Sequence, residues 1–523
     1  MARVIPPRAR ISPRRDDAQD PCTFALVTEV STRAGRVRGS DEGEVAVFRG
    51  IPFARRPTGE LRFQRPVPCE PWDDVLDTTS FGPPPPQSQQ MGPAPDDDAD
   101  RSWLTANVWT TDVTGRRPVL VYVYGGAYRS GHAGDPAYDG TLLATEGEVV
   151  VVTFNHRVGA EGYAQIEGAP ANRGLLDCLA ALAWVRDNIE SFGGDPAQVS
   201  VFGESAGAGA IASLLAMPQA HGLFGRAVLQ SIPGTFFSAE LAADIATTVA
   251  GSMGRTATAE DLAEVAPADL VAAFDALVMP PHAARWGNIA FTPTPFSPVV
   301  DGEVLPVTPW QAVRDGSARD VEILVGHNRD EFRLFVMLGG LLGNVTPELE
   351  AQTLALFSPD PAGFASVEPD ALTGRLFELV QSDWLFRMPS LRLAQEQSRA
   401  GGRVHLYELT WAAPAAPLGA CHALDVPLVW GSLSSGFATM LIGDPVPDEA
   451  VELSRELRGR WTAFARTGDP GWPVYDDDAQ QCLVIDVESS VERYPEQASA
   501  AYWAGHEFAA LPLLNDSTSE RPG

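Results

Sequence analysis

The stretch Gln198-Val199-Ser200-Val201-Phe202-Gly203-Glu204-Ser205-Ala206-Gly207, running on through an Ala-rich segment to Ala216, decides how this chain is read. Its first half is a short apolar run of the kind that makes a strand buried on both faces. Its second half reads as a helix. Between them lies Gly203-Glu204-Ser205-Ala206-Gly207. A Gly-x-Ser-x-Gly pattern is weak by itself and needs context. Placed between a strand and a helix, it describes a sharp turn that lifts a serine hydroxyl above a sheet, and small neighbours are needed to fit that turn.

Outward from this turn, continuous apolar runs recur at 118–124, 148–155, 226–230 and 321–326. Helical patterns separate several of them, most clearly at 172–191. Segments 238–285 and 346–400 read as helical insertions over one end of the sheet. Short strands at 24–30, 36–39 and 45–51 form a small antiparallel opening. The tail offers strands near 403–409 and 482–486, a long helix at about 447–467 and a last helix near 496–510. This alternation predicts an α/β fold, a mostly parallel sheet with helices on both faces. With no internal repeat and no interdomain linker, one domain is expected over 21–515, between a tail at 1–20 and a frayed end at 516–523.

The composition excludes several chemistries. Net charge is −30, which repels phosphate backbones and argues against a nucleic-acid partner. There is no Lys, so all 38 basic residues are Arg; Schiff-base chemistry, Ser–Lys dyads and the Walker lysine are excluded together. No apolar run reaches transmembrane length, so no membrane partner is expected. The five cysteines, at 22, 69, 178, 421 and 482, are odd in number and irregularly spaced. They suggest a reducing compartment, and Cys178 reads as core. The Arg-rich first residues lead into no apolar stretch, unlike a secretory signal. A cytoplasmic location is the expectation.

A nucleophilic serine needs a base and an acid. Of eight histidines, His405 lies inside a strand pattern and His506 on the expected last helix. His422 lies in the small-residue loop Gly419-Ala420-Cys421-His422-Ala423, where a mobile imidazole is useful. The triad order in such sheets is Ser, acid, His. The strand at 321–326 runs into His327-Asn328-Arg329-Asp330-Glu331, and spacing alone leaves both Asp330 and Glu331 open as the acid. Tyr124-Gly125-Gly126-Ala127-Tyr128 follows the first long strand. Its tiny side chains would let backbone N–H groups approach a developing oxyanion, with the N–H of Ala206 beside them.

On these residues the chain resembles the type-B carboxylesterase/lipase family, on its bacterial para-nitrobenzyl-esterase side. The opening Phe48-Arg49-Gly50-Ile51-Pro52-Phe53-Ala54 matches, and so does Asn107-Val108-Trp109. Asn155-His156-Arg157-Val158-Gly159, Asn172-Arg173-Gly174-Leu175-Leu176-Asp177 and Phe192-Gly193-Gly194-Asp195-Pro196 follow in the family's order. Phe202-Gly203-Glu204-Ser205-Ala206-Gly207 matches its nucleophile motif, and Leu229-Gln230-Ser231 the strand after it. The resemblance implies an α/β-hydrolase fold and hydrolysis of small esters. It implies Ser205 as nucleophile, Glu331 as acid and His422 as base. It places the oxyanion donors at Gly126, Ala127 and Ala206, with Glu204 and Ser231 close to the triad. No cofactor or metal is implied, and the partner is a small-molecule ester.

The chain also departs from the family. Arg101-Ser102-Trp103-Leu104 stands where the family has Glu-Asp-Cys-Leu, and Pro85 stands at the partner cysteine. Both disulfide positions are gone. The lost Glu leaves Arg157 without its family partner, for which Asp98 and Asp100 are the candidates. The Pro-rich segment has no counterpart of the choline-site loop, which disfavours a cholinesterase. Two other motifs are weighed and set aside. Gly207-Ala208-Gly209-Ala210-Ile211-Ala212 fits a dinucleotide turn but has Gln230-Ser231 where the acid belongs. Asp135, Asp139-Gly140 and Glu146 give only part of a calcium loop. Phe236, Phe237, Phe335 and Trp384 are candidate pocket walls. A neutral carboxylic ester is the expected substrate class, with an aryl carbamate or amide as the alternative and a non-catalytic binding protein as a remote one.

Overall fold

The computed structural model describes residues 28–88 and 102–514. Its centre is an eleven-stranded sheet. In chain order the strands are β1 Ser40–Glu42, β2 Val45–Pro52, β3 Thr105–Thr110, β4 Arg117–Val123, β5 Val150–Phe154 and β6 Gly194–Glu204. They continue with β7 Arg226–Gln230, β8 Glu322–Asn328, β9 Val404–Leu409, β10 Gln481–Ile485 and β11 Ser490–Arg493. Across the sheet the order is β11-β10-β9-β8-β7-β6-β4-β5-β3-β2-β1. β4 to β10 are parallel to one another. β1, β2 and β3 join antiparallel at one edge and β11 at the other.

The apolar runs are strands because both faces of the sheet are covered. Val119, Val121 and Val123 of β4 enter one hydrophobic cluster, while Leu120, Tyr122 and Tyr124 enter another on the opposite face. Helices Arg173–Asn188 and Ala206–Ala216 pack in the first cluster, and the long helix Asp448–Thr467 in the second. The segments read as helical insertions contain helices such as Ala239–Ser252, Pro347–Phe357, Arg375–Ser382 and Met388–Arg399.

Several expectations are corrected. The last helix ends at Tyr502, short of 510, and His506 lies beyond it. Beyond it the Arg392 guanidinium donates to the carbonyls of Trp503, Ala504 and His506, and the His506 N–H closes a tighter turn onto Trp503 at 3.0 Å. β1, β3 and β11 are strands that the sequence pattern does not mark. The opening strand covers Glu29–Ser31; residues 24–27 of the expected strand, like the tails at 1–20 and 516–523, lie outside the described residues.

Asp98 and Asp100 also lie outside them, and Arg157 has a different partner. It grips Asp177 through Nε–Oδ2 at 2.8 Å and a terminal nitrogen–Oδ1 at 2.8 Å, with both side chains fully buried. The backbone N–H of Arg157 donates to the same carboxylate at 2.9 Å. This fork on a carboxylate satisfies a buried charge with directional bonds.

Candidate active site

Five segments of the site leave the carboxyl ends of parallel strands, which is where ligands sit in open α/β sheets. The turn after β6 holds Ser205 at φ 55°, ψ −125°. That region is sparsely populated for a residue with a side chain and costs on the order of 1–3 kcal/mol. The surroundings impose it. The Ser205 N–H donates to the Gln230 carbonyl at 2.9 Å, and the Gly209 N–H donates to the Ser205 carbonyl at 2.9 Å. A Cβ at Gly203 would strike the Val123 carbonyl, and one at Gly207 would strike the same oxygen harder. The glycines of the elbow are therefore packing glycines against β4. A Cβ at Gly209 would meet the Tyr128 hydroxyl, so this part of the dinucleotide-like pattern is also explained by close packing.

The turn after β4 faces the elbow. Gly126 has φ 108°, and Ala127 and Tyr128 follow at 56° and 58°. Three successive residues at positive φ make this a tight turn. Among the described residues nothing accepts from the N–H of Gly126 or Ala127. Ala206 is the first residue of its helix, so its N–H has no intrahelical acceptor. The turn is fixed by its carbonyls: Gly126 accepts from the N–H groups of Arg129 and Ser130 at 3.1 Å, and Ala127 from Thr294 Oγ1 at 2.9 Å. A Cβ at Gly125 would meet Glu204 and Ser205, so the two turns touch.

The structure brings His422 between Ser205 and Glu331. Nε2 is 2.9 Å from Ser205 Oγ and Nδ1 is 2.6 Å from Glu331 Oε2. The other Glu331 oxygen accepts from Ser231 Oγ at 2.5 Å and from the Asn328 N–H at 2.8 Å. Asp330, its neighbour, turns the other way. It accepts from the Ala420 N–H at 3.1 Å and pairs with Arg329, Arg333 and Arg375. It thus anchors the loop that carries His422 without reaching the imidazole. Two residues add to the set found by sequence. Asn328 donates to Glu331 and, through Nδ2, to the Cys421 carbonyl at 2.8 Å. Asp425, fully buried, accepts from Gln230 Nε2 at 2.8 Å and Tyr407 Oη at 2.9 Å. An acid inside the apolar run Leu424–Leu428 is the signal that could have exposed it.

Three buried carboxylates surround the imidazole. Glu204 Oε1 is 3.1 Å from His422 Nε2. Burial pushes the Glu204 carboxyl up to about 8, against the pull of His422. Burial would depress His422, but Glu204, then Glu331 and Asp425, outweigh it and hold the imidazole up to about 9. Glu204 and His422 are close enough to titrate as a pair.

A model of the carboxylesterase family matches residues 27–352 and 367–503. The chain belongs to the carboxylesterase family. It is 36% identical to the para-nitrobenzyl esterase of Bacillus subtilis (strain 168), over 89% of this chain and 96% of that protein. It is 32% identical to the liver carboxylesterase of Sus scrofa, over 91% and 92% of the two chains. A crystal structure of a Geobacillus stearothermophilus carboxylesterase superposes with a TM-score of 0.80 at 33% identity, covering 91% of this chain and all of the other. The fold is the α/β-hydrolase fold, and the protein is a serine carboxylic ester hydrolase.

All but Phe335 of the other sequence candidates in this carboxylesterase have plain structural roles. Phe236 packs edge-on against Trp310, with ring centroids 5.3 Å apart. Phe335 lies beside the His422 ring, and Trp384 shares a small apolar recess with Phe291, Phe332, Phe357 and Leu385. In the calcium-like loop, Asp135 and Asp139 cap local N–H groups, and Glu146 pairs with Arg458.

Proposed function

We propose that Ser205, His422 and Glu331 carry the hydrolysis, with the N–H groups of Gly126, Ala127 and Ala206 receiving the oxyanion. The observation behind this reading is the single imidazole that lies within hydrogen-bond reach of Ser205 on one nitrogen and of Glu331 on the other. His422 takes the Ser205 proton as Oγ attacks the ester carbonyl. Glu331 keeps the proton of Nδ1 in place and stabilises the imidazolium. The three N–H groups stabilise charge that appears only on the tetrahedral intermediate. The alcohol leaves with the proton from His422, and water activated by the same imidazole then releases the acid from Ser205. Ser231 and Asn328 hold Glu331, and Glu204 stands beside Nε2.

The substrate we propose is a small neutral carboxylic ester. The chain carries a net charge of −30, and Glu331 holds the imidazole from behind. Such a field disfavours anions and expels the acid product. The test is kcat/KM for a neutral and a carboxylate-bearing ester of matched size, at low ionic strength and at 1 M salt, where screening falls to about 3 Å. The neutral ester should win, and the gap should narrow with salt. Equal values at low salt would overturn the charge argument.

We further read 21–515 as one catalytic domain working in a reducing compartment. Supporting this, Cys69, Cys178, Cys421 and Cys482 are all free thiols.

A further inference from the structure

The edges of the His422 ring meet Glu331, Ser205 and Glu204, but its face meets something else. The Phe386 ring lies 4.2 Å from it between centroids, tilted by 30°. Phe335 approaches at 5.3 Å. Phe335 and Phe386 are nearly parallel to each other, 10° apart in plane at 6.0 Å. Phe386 is buried and Phe335 half-buried.

Phe386 reaches this position through an unusual backbone. Asp383–Arg387 is a π-helical turn set between helices Arg375–Ser382 and Met388–Arg399. A π turn holds one more residue than an α turn, so it re-aims the side chains it carries, and such turns gather at functional sites. This one is held from behind by Arg387, which is fully buried and paired with Asp383 at 3.2 Å and with Glu496. Arg387 also donates to the carbonyl of Arg329 at 3.3 Å, two residues before Glu331. One guanidinium therefore ties the turn that carries the aromatic ring to the segment that carries the carboxylate.

We propose that this π turn is a positioning element for His422, in which Phe386 holds the imidazole by its face and favours its charged form. The inference rests on the reading of His422 as base. Two acceptors compete for Nε2, Ser205 at 2.9 Å and Glu204 at 3.1 Å. A flat ring against the imidazole limits the rotation that would exchange one for the other. During acylation the imidazole becomes a cation, and the negative face of an aromatic ring attracts cations. The charged groups facing His422 are Glu204 at the end of β6, Glu331 after β8 and Asp425 three residues along its own segment; Arg387 lies behind the turn.

The test compares Phe386→Leu, which stays apolar but loses the π face and some volume, with Phe386→Tyr, which keeps the ring. Each is measured for kcat, KM, the pH profile of kcat/KM and thermal midpoint. Phe386→Leu should lower kcat about tenfold, leave KM within about twofold and move the profile's midpoint about half a pH unit towards acid. Phe386→Tyr should recover most of both. Phe335→Leu should shift the midpoint in the same direction by less, and it decides the matter if Phe386→Leu does not fold. An unmoved midpoint in the Leu variants would overturn the proposal, as would a rise in KM at constant kcat, which would make Phe386 a pocket wall. His422→Gln separates the two readings. If it keeps activity, the base assignment falls. If it abolishes activity while the Leu variants keep the parent profile, only the positioning role falls.

Discussion

In the proposed mechanism the turns that follow β4 and β6 offer backbone N–H groups to the reacting atoms, the second of them with the Ser205 hydroxyl, whereas the segments that follow β8 and β9 offer side chains alone. On the first side, Gly126, Ala127, Tyr128 and Ser205 all sit at positive φ. These conformations leave the N–H groups of Gly126 and Ala127 without an acceptor among the described residues while the Gln230 carbonyl holds that of Ser205, and glycines permit the close approach. On the second side, Glu331 and His422 are not themselves at positive φ; Glu331 is aimed by bonds donated by Ser231 and Asn328, and the His422 loop by the Ala420 N–H that Asp330 accepts. The backbone half cannot be retuned by pH and is disrupted by added atoms. The side-chain half is disrupted by lost charge and answers to pH.

The comparison can be broken first at Ser205, where the halves meet. Ser205→Ala should remove roughly six orders of magnitude in kcat, and an organophosphonate should label Ser205 in the parent; labelling of another serine would dissolve the scheme. The side-chain half is tested by adjacent acids. Glu331→Gln should lower kcat by roughly 10⁴-fold by removing the charge that orients and stabilises the imidazole. Asp330→Asn should instead lower the thermal midpoint, because three arginines lose their shared carboxylate, with a far smaller change in kcat. The reverse ranking would show that the acid had been assigned one residue out of place.

The backbone half is tested by Gly126→Ala. Its φ of 108° suits glycine, and the new Cβ would meet the Ser130 carbonyl. Displacing the donors should cost about 10²–10³-fold in kcat, without moving the midpoint of the pH profile. The smallest effect is a shift in pH. Glu204 is the largest influence raising the imidazole to about 9. A neighbouring carboxylate favours the protonated ring, so the free base appears only at higher pH. Glu204→Gln should therefore move the rising limb of kcat/KM towards acid, leaving relatively more activity near pH 6 or so. A shift towards alkali would refute the sign.

Much of the backbone half was legible because its determinants are local. A strand, a Gly-x-Ser-x-Gly turn and a helix are consecutive in the chain, and the small residues of 124–128 announce a close approach. The side-chain half was less so. Whether Asp330 or Glu331 faces the imidazole depends on how the chain turns after β8, and spacing alone does not record that. The partner of Arg157 lies twenty residues away at Asp177 and is chosen by packing. β3 was hidden by its polar residues, since Asn107 reads as exposed until its bonds to Gly50, Ala133 and Thr153 are seen. The π turn before Met388 has no periodic signature, so Phe386 did not stand out as a neighbour of His422.

The outermost strands have a consequence of their own. An open sheet leaves a row of unpaired amides and carbonyls at each border, a template on which another unfolded or damaged chain can add itself. Here one border is the three-residue strand Ser40-Asp41-Glu42 and the other the four-residue strand Ser490-Val491-Glu492-Arg493, exposed along its whole length. Both are short, and three of the seven residues are acidic. Shortness and charge are the devices by which sheet borders resist the addition of further strands. The ends of this wide sheet thus carry a safeguard against fibrous self-association that owes nothing to the chemistry at its centre.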